Sequence, residues 1–168
     1  VGLASGGPDG AASVMLYVFI YAFMNMGAFG MVIMLRKAGV RGEEITDYAG
    51  LGKTNKMAAF LMLIFMFSLT GIPPTAGFIG KFYIFKSAVE ANLIWLAVAG
   101  VIFSSISAYF YLRVIMVMYM HDPKGEFKLA TAPSLALALA ISVAAVLYIG
   151  VNPSAILNFA KASIAGIM

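Results

Sequence analysis

The 168 residues are 62% hydrophobic and 11% charged, with a mean hydropathy of +0.97, against about 25% charged residues in an ordinary soluble domain. That balance excludes a water-soluble globular domain and describes an integral membrane protein. The net charge of +4 flanks apolar segments and forms no basic face, so topology accounts for it and a nucleic-acid partner does not; with no Cys and one His, disulfides, thiolate metal sites and iron–sulfur ligation within this chain are excluded too.

Val1 to Gly10 reads as a loop and lacks the basic n-region of a signal peptide. Four segments then reach the roughly 20 mostly apolar residues that a bilayer crossing needs: Ala11 to Leu35, Met57 to Val89, Leu93 to Met120 and Ala132 to Val151. Strand alternation is absent, so helices are the expected spanning elements. The expected fold is all-α integral membrane, a single domain over 1–168, with four transmembrane helices, the second broken at Gly71–Gly77, and a C-terminal interfacial helix.

Within the first span, Asn25 needs an amide partner, which is either an adjacent helix or a hydrated route, while Gly27 and Gly30 permit close helix contact. The following loop carries Arg36, Lys37, Arg41, Lys53 and Lys56, and the third connection adds Arg113, Lys124 and Lys128, so eight of eleven basic residues agree on one side. Loops 36–56 and 120–131 are therefore expected in the cytoplasm. Glu43 to Tyr48 forms a short polar turn or surface helix before Gly50 and Gly52.

Met57 to Val89 would run about 50 Å as one straight helix, well beyond a hydrocarbon core of about 30 Å. The run Gly71-Ile72-Pro73-Pro74-Thr75-Ala76-Gly77 interrupts it, because the prolines remove backbone donors and the glycines permit non-helical dihedrals. Carbonyls freed there need polar company, and Ser68, Thr70 and Thr75 lie close enough in sequence to supply it. Lys81 follows eight residues after Pro73 in an apolar stretch. A cation in hydrocarbon costs at least about 2.5 kcal/mol, so Lys81 is either a proton-relay group in a hydrated cavity or a side chain that snorkels to the interface. Lys86, near Glu90, reads as a snorkelling residue.

On the third span Ser104, Ser107 and Tyr111 recur near helical spacing and form a mildly polar stripe, which either lines water or holds backbone-bonded hydroxyls. Arg113 is an interfacial anchor or a pathway charge, and His121 a loop residue or a proton entry point. The helix stops at His121-Asp122-Pro123. After the fourth span, Asn152-Pro153 is a stop, and Ser154 to Met168 with its one charge, Lys161, is expected to lie along the interface without spanning, anchored against neighbouring helices or lipid headgroups.

The string Ser68-Leu69-Thr70-Gly71-Ile72-Pro73-Pro74-Thr75-Ala76-Gly77-Phe78-Ile79-Gly80-Lys81-Phe82-Tyr83 resembles the broken-helix motif of the antiporter-like membrane subunits of proton-pumping NADH:quinone oxidoreductase, respiratory complex I, in the form found in its subunit N. Ala22 to Gly30, Glu43 to Leu51 and Ser107 to Arg113 resemble the same subunit in the same order. The resemblance implies an antiporter-like bundle, a C-terminal piece of a longer proton-translocating subunit, and Lys81 as the relay residue on the broken helix. It also implies that NADH, FMN, iron–sulfur clusters and quinone belong to partner subunits, that this chain does no redox chemistry, and that its partners are other membrane subunits and the lipid bilayer, in a bacterial inner membrane.

Two other functions fit the same residues. One is a subunit of a multisubunit cation/proton antiporter or of a membrane-bound hydrogenase-type complex, whose membrane subunits look similar around the break. The other is a structural spacer in which Lys81 is an assembly contact to an acidic neighbour.

Overall fold

The computed structural model describes residues 1–37, 39, 42–123 and 132–166, and the regular structure among them is helical throughout. In chain order the elements are α1 (Gly2–Ser5), α2 (Gly7–Lys37), a 3-10 turn (Ile45–Tyr48), α3 (Leu51–Thr54), α4 (Lys56–Thr70), α5 (Ala76–Glu90), α6 (Ile94–Met120), α7 (Pro133–Val151) and α8 (Ser154–Ala165). The start of the chain departs from the expected loop, since α1 and α2 carry helix back to Gly2. Pro8 fits the first turn because its absent N–H would have no partner there, and Asp9 meets the positive end of the helix dipole.

Among the described residues three helices, α2, α6 and α7, are long and apolar enough to cross a membrane. The residues of the expected second span fold as two separate helices, α4 and α5, fifteen residues each, or about 22 Å, and neither matches a core of about 30 Å by itself.

α2 is the hub, in contact with α1, α4, α5, α7 and α8. Its buried stripe runs Ala12, Leu16, Ile20, Met24, Ala28, Met31 and Leu35, steps of three or four that keep one face inward. A Cβ at Gly27 would fall on the fully buried Phe65 ring of α4, and one at Gly30 would press on Leu139 of α7, so both glycines serve packing, as their positions suggested. α6 is the opposite case: 11% of its apolar window is buried, against 44% for α2.

At one end of the bundle the polar connection is pinned to α6, with the Gly50 amide donating to the Val117 carbonyl at 3.3 Å and Lys53 pairing with Asp122 at 2.7 Å. That hydrogen bond holds the Asp122 carboxyl below the usual carboxylate range. Arg36 meets Glu43 at 3.6 Å in the same connection. Arg41, Lys124 and Lys128, part of the sidedness argument, lie outside the described residues, as does the side chain of Lys37. At the other end α8 folds back on α2 with Ile156, Leu157 and Ala160 inward, and Lys161 pairs with Asp9 at 2.9 Å, which raises the proton affinity of Lys161.

Candidate functional site

α4 ends in a Schellman motif. The Ile72 amide donates to the Phe67 carbonyl and the Gly71 amide to the Ser68 carbonyl, both at 3.0 Å, with Gly71 at φ +90° where a Cβ would be strained. Two later carbonyls remain, those of Leu69 and Thr70. In a continuing helix they would accept from the amides four residues on, which are Pro73 and Pro74, and proline has no N–H. The double proline therefore orphans two particular oxygens in a setting where bare backbone polar groups cost several kcal/mol.

Lys81 supplies the missing donors. Its Nζ lies 3.0 Å from the Leu69 carbonyl oxygen and 2.8 Å from that of Thr70. The side chain reaches back from α5 across the break, passing over Gly71, where a Cβ would meet its Cδ at 3.0 Å. A cation at a helix C-terminus is stabilised by the negative end of the dipole, so α4 offers Lys81 both hydrogen bonds and field. None of the described ion pairs includes it.

The start of α5 is held from the other half as well. Thr75 occupies the N-cap position, but its hydroxyl donates to the Ile72 carbonyl at 2.6 Å. The capping role falls to Ser68, fully buried, whose Oγ accepts the Gly77 amide at 3.1 Å and lies 2.9 Å from the Met24 sulfur on α2. Gly77 has no room for a side chain, since a Cβ would run into the Ser68 carbonyl, and a Cβ at Gly80 would meet the Tyr17 ring at 3.1 Å. These glycines make close packing rather than space for water.

Lys81 lines a cavity of about 400 Å³ between α2, α5 and α6, together with Tyr17, Tyr21, Ser104, Ser107 and Tyr111. The proposed polar stripe of α6 thus shares one cavity with the lysine. Ser107 also donates to the Phe103 carbonyl at 3.0 Å, so the backbone-bonded alternative holds for that hydroxyl. Thr70 behaves likewise, donating to Met66 at 2.8 Å, and so does not cap the freed carbonyls.

Other expected site residues stand apart. Asn25 donates to the Tyr21 carbonyl of its own helix at 2.8 Å, a bond that joins no second helix, and it does not line the cavity. His121 and Arg113 are exposed, and His121 lies ten residues beyond Tyr111, about 15 Å along the axis. Lys86 pairs with Glu90 at 3.6 Å near the outer end of α5. Sequence reasoning missed Tyr17 and Tyr21, although two phenols four residues apart in an apolar span were a readable signal.

A family model described as NADH:quinone oxidoreductase/Mrp antiporter, TM, matches residues 1–107. NADH-quinone oxidoreductase subunit N 2 of Rhizobium meliloti (strain 1021) is 48% identical over 165 residues, 98% of this chain and 34% of the relative. Subunit N of Trichlorobacter lovleyi is 48% identical over 166 residues, again 98% and 34%. The chain therefore spans about a third of the length of the curated relatives it matches. Among solved structures, respiratory complex I from Thermus thermophilus with bound aureothin superposes with a TM-score of 0.71 at 24% identity, covering 90% of this chain and 35% of that one. The Mrp complex from Dietzia sp. DQ12-45-1b gives 0.83 at 20% identity, covering 98% and 39%. At those identities the likeness is one of fold.

Proposed function

This chain belongs to the NADH:quinone oxidoreductase/Mrp antiporter transmembrane family, and we propose that it is part of a proton-translocating membrane subunit of NADH:quinone oxidoreductase in which Lys81 relays protons. The observation that carries the reading is the seat of Lys81: an ammonium hydrogen-bonded to the two carbonyls that the double proline orphans, at the wall of a cavity with polar groups. On this reading α4 and α5 together make one broken span, alongside three continuous ones.

The chemistry follows from that seat. Protonated, Lys81 satisfies the Leu69 and Thr70 oxygens; on losing a proton to a water in the cavity it loses the charge that strengthens both bonds. Any change of field from elsewhere in a larger assembly shifts the balance between the two states, which is what coupling requires. The redox groups, NADH, FMN, iron–sulfur clusters and quinone, then belong to partner subunits, and the neighbours of this chain are other membrane subunits in a bacterial inner membrane, with loops 36–56 and 120–131 cytoplasmic. The 48% identity to proteins named NADH-quinone oxidoreductase subunit N supports this assignment.

The test is Lys81→Ala in the assembled complex, with proton uptake into vesicles driven by quinone reduction. The expected loss is about 100-fold, the lower end of what a positioned acid–base group contributes. Undiminished uptake in a complex of normal composition overturns the role, and failure to assemble points to the structural-spacer reading.

A second reading, a subunit of a cation/proton antiporter, is favoured by the fold likeness to the Mrp complex. Co-purification with redox partners supports the first reading; cation-dependent proton exchange without an electron donor supports the second.

A further inference from the structure

Beside the polar cavity runs a second, larger one of about 880 Å³, an apolar groove along α5 and α6 that passes Phe82 and Val98 and reaches Lys86 and Glu90. The two cavities share three lining residues: Lys81, Phe85 and Ser104. These residues are therefore the wall between them. Phe85 stands one turn beyond Lys81 on α5, so the two side chains rise from the same helix face. Its ring lies over Gly100 of α6, where a Cβ would stand 2.6 Å from Cε1, so the absence of a side chain at 100 lets the ring close the seam.

We propose that Phe85, seated on Gly100, is a positioning residue that seals the polar cavity from the groove, so that a proton passes the seam by way of the Lys81 amine and not along continuous water. This rests on the relay reading of Lys81. A water needs two to four polar partners to be held in a cavity. On the cavity side Tyr17, Tyr21, Ser107 and Tyr111 supply polar atoms, whereas the groove is mostly hydrocarbon: beyond the wall its polar side chains are Thr70 and Ser105, each bonded to a carbonyl of its own helix, and the Lys86–Glu90 pair. With the ring in place the Ser104 hydroxyl and the Lys81 ammonium are the polar groups of the wall itself. Removing the ring joins the cavity to the groove beside the ammonium, where Lys81, Ser104 and Ser105 offer waters their polar partners, and protons then cross without waiting for any change at Lys81. A relay needs a reachable amine and a barrier against bypass, and Phe85 provides the second.

The experiment uses the full-length subunit in its assembled complex, reconstituted in vesicles enclosing a pH-sensitive dye, with a pH gradient imposed and no electron donor. Phe85→Ala is expected to speed decay of the gradient by about tenfold, equivalent to about 1.4 kcal/mol off the barrier. In the same vesicles net driven uptake falls while the rate of quinone reduction is kept, a split that a general loss of folding does not produce. Phe85→Leu, which keeps apolar bulk, is expected to hold the gradient within about twofold of the unsubstituted complex. Unchanged decay in assembled Phe85→Ala overturns the proposal, as does an equal leak in Phe85→Leu. Should Phe85→Ala not assemble, Gly100→Ala displaces the ring instead, and a faster decay supports the barrier where an unchanged one overturns it. Undiminished driven uptake in Lys81→Ala rejects the relay alone, because the leak is read without turnover.

Discussion

The inner and outer ends of α5 each carry a lysine, five residues apart, and their surroundings differ in kind. Lys86 meets Glu90 at 3.6 Å with half of each side chain exposed, an i,i+4 pair of the sort that contributes roughly 0.3–0.5 kcal/mol. Lys81 has two backbone oxygens for partners, and those oxygens exist as acceptors because Pro73 and Pro74 give them no amide. One cation meets a carboxylate that solvent can replace; the other donates to the two helix-end carbonyls for which the prolines leave no amide. The same residue type on the same helix is thus surface chemistry at one end and part of the backbone accounting at the other.

Lys81→Arg strains this contrast most. A guanidinium still donates to the Leu69 and Thr70 carbonyls but does not lose its proton, so assembly is expected to survive while driven proton uptake falls about 100-fold. Lys86→Ala in the parallel experiment is expected to leave uptake within about twofold, and an equal loss for both would erase the distinction between the two ends. Next in size is Pro73→Ala combined with Pro74→Ala. The restored amides compete with Lys81 for its two acceptors, and uptake is expected to drop by about tenfold while thermal stability in detergent holds, since each restored amide gives a helix-end carbonyl a donor. A stability loss with unchanged uptake would show that the carbonyls do not set the behaviour of Lys81.

Ser68→Ala sharpens the comparison from the other side of the break. It removes the acceptor for the Gly77 amide and is expected to lower stability by about 1 kcal/mol, read as a shift in thermal unfolding, the usual loss for a helix cap. The smallest effect belongs to Lys53 and Asp122, a solvent-accessible pair that ties α3 to the end of α6. The Asp122 carboxyl is held low first by its hydrogen bond from Lys53, so the pair's contribution is present above the unfolded carboxylate value of about 3.9 and lost as pH falls through the lower folded value. Lys53→Met should therefore melt slightly earlier than the parent at pH 7, and the difference should vanish in acid.

Much of the break was readable beforehand. The length of Met57 to Val89, the proline pair and the flanking glycines located the interruption, and the i−4 rule names Leu69 and Thr70 as the orphaned carbonyls without any coordinates. Asn25 shows the limit of such reasoning: its amide needed a partner, and the nearest was the Tyr21 carbonyl one turn back on its own helix. Thr70 and Thr75 were placed near the right oxygens, but each hydroxyl found a local carbonyl first. Short polar side chains bond within reach of their own backbone, so sequence proximity names candidates and geometry chooses among them.

Composition and order along the chain determined the membrane class, the apolar segments, the interruption and the lysine that follows it, because hydropathy, helix rise and the missing proline donor are local properties. The tertiary structure alone decided that Lys81 turns back to the end of α4, that Ser68 caps the helix across the gap, and that Phe85 and Gly100 close the seam between two cavities. Those outcomes depend on which helices pack side by side, and contacts between residues distant in the chain are set by the packing of whole faces, which no local pattern encodes.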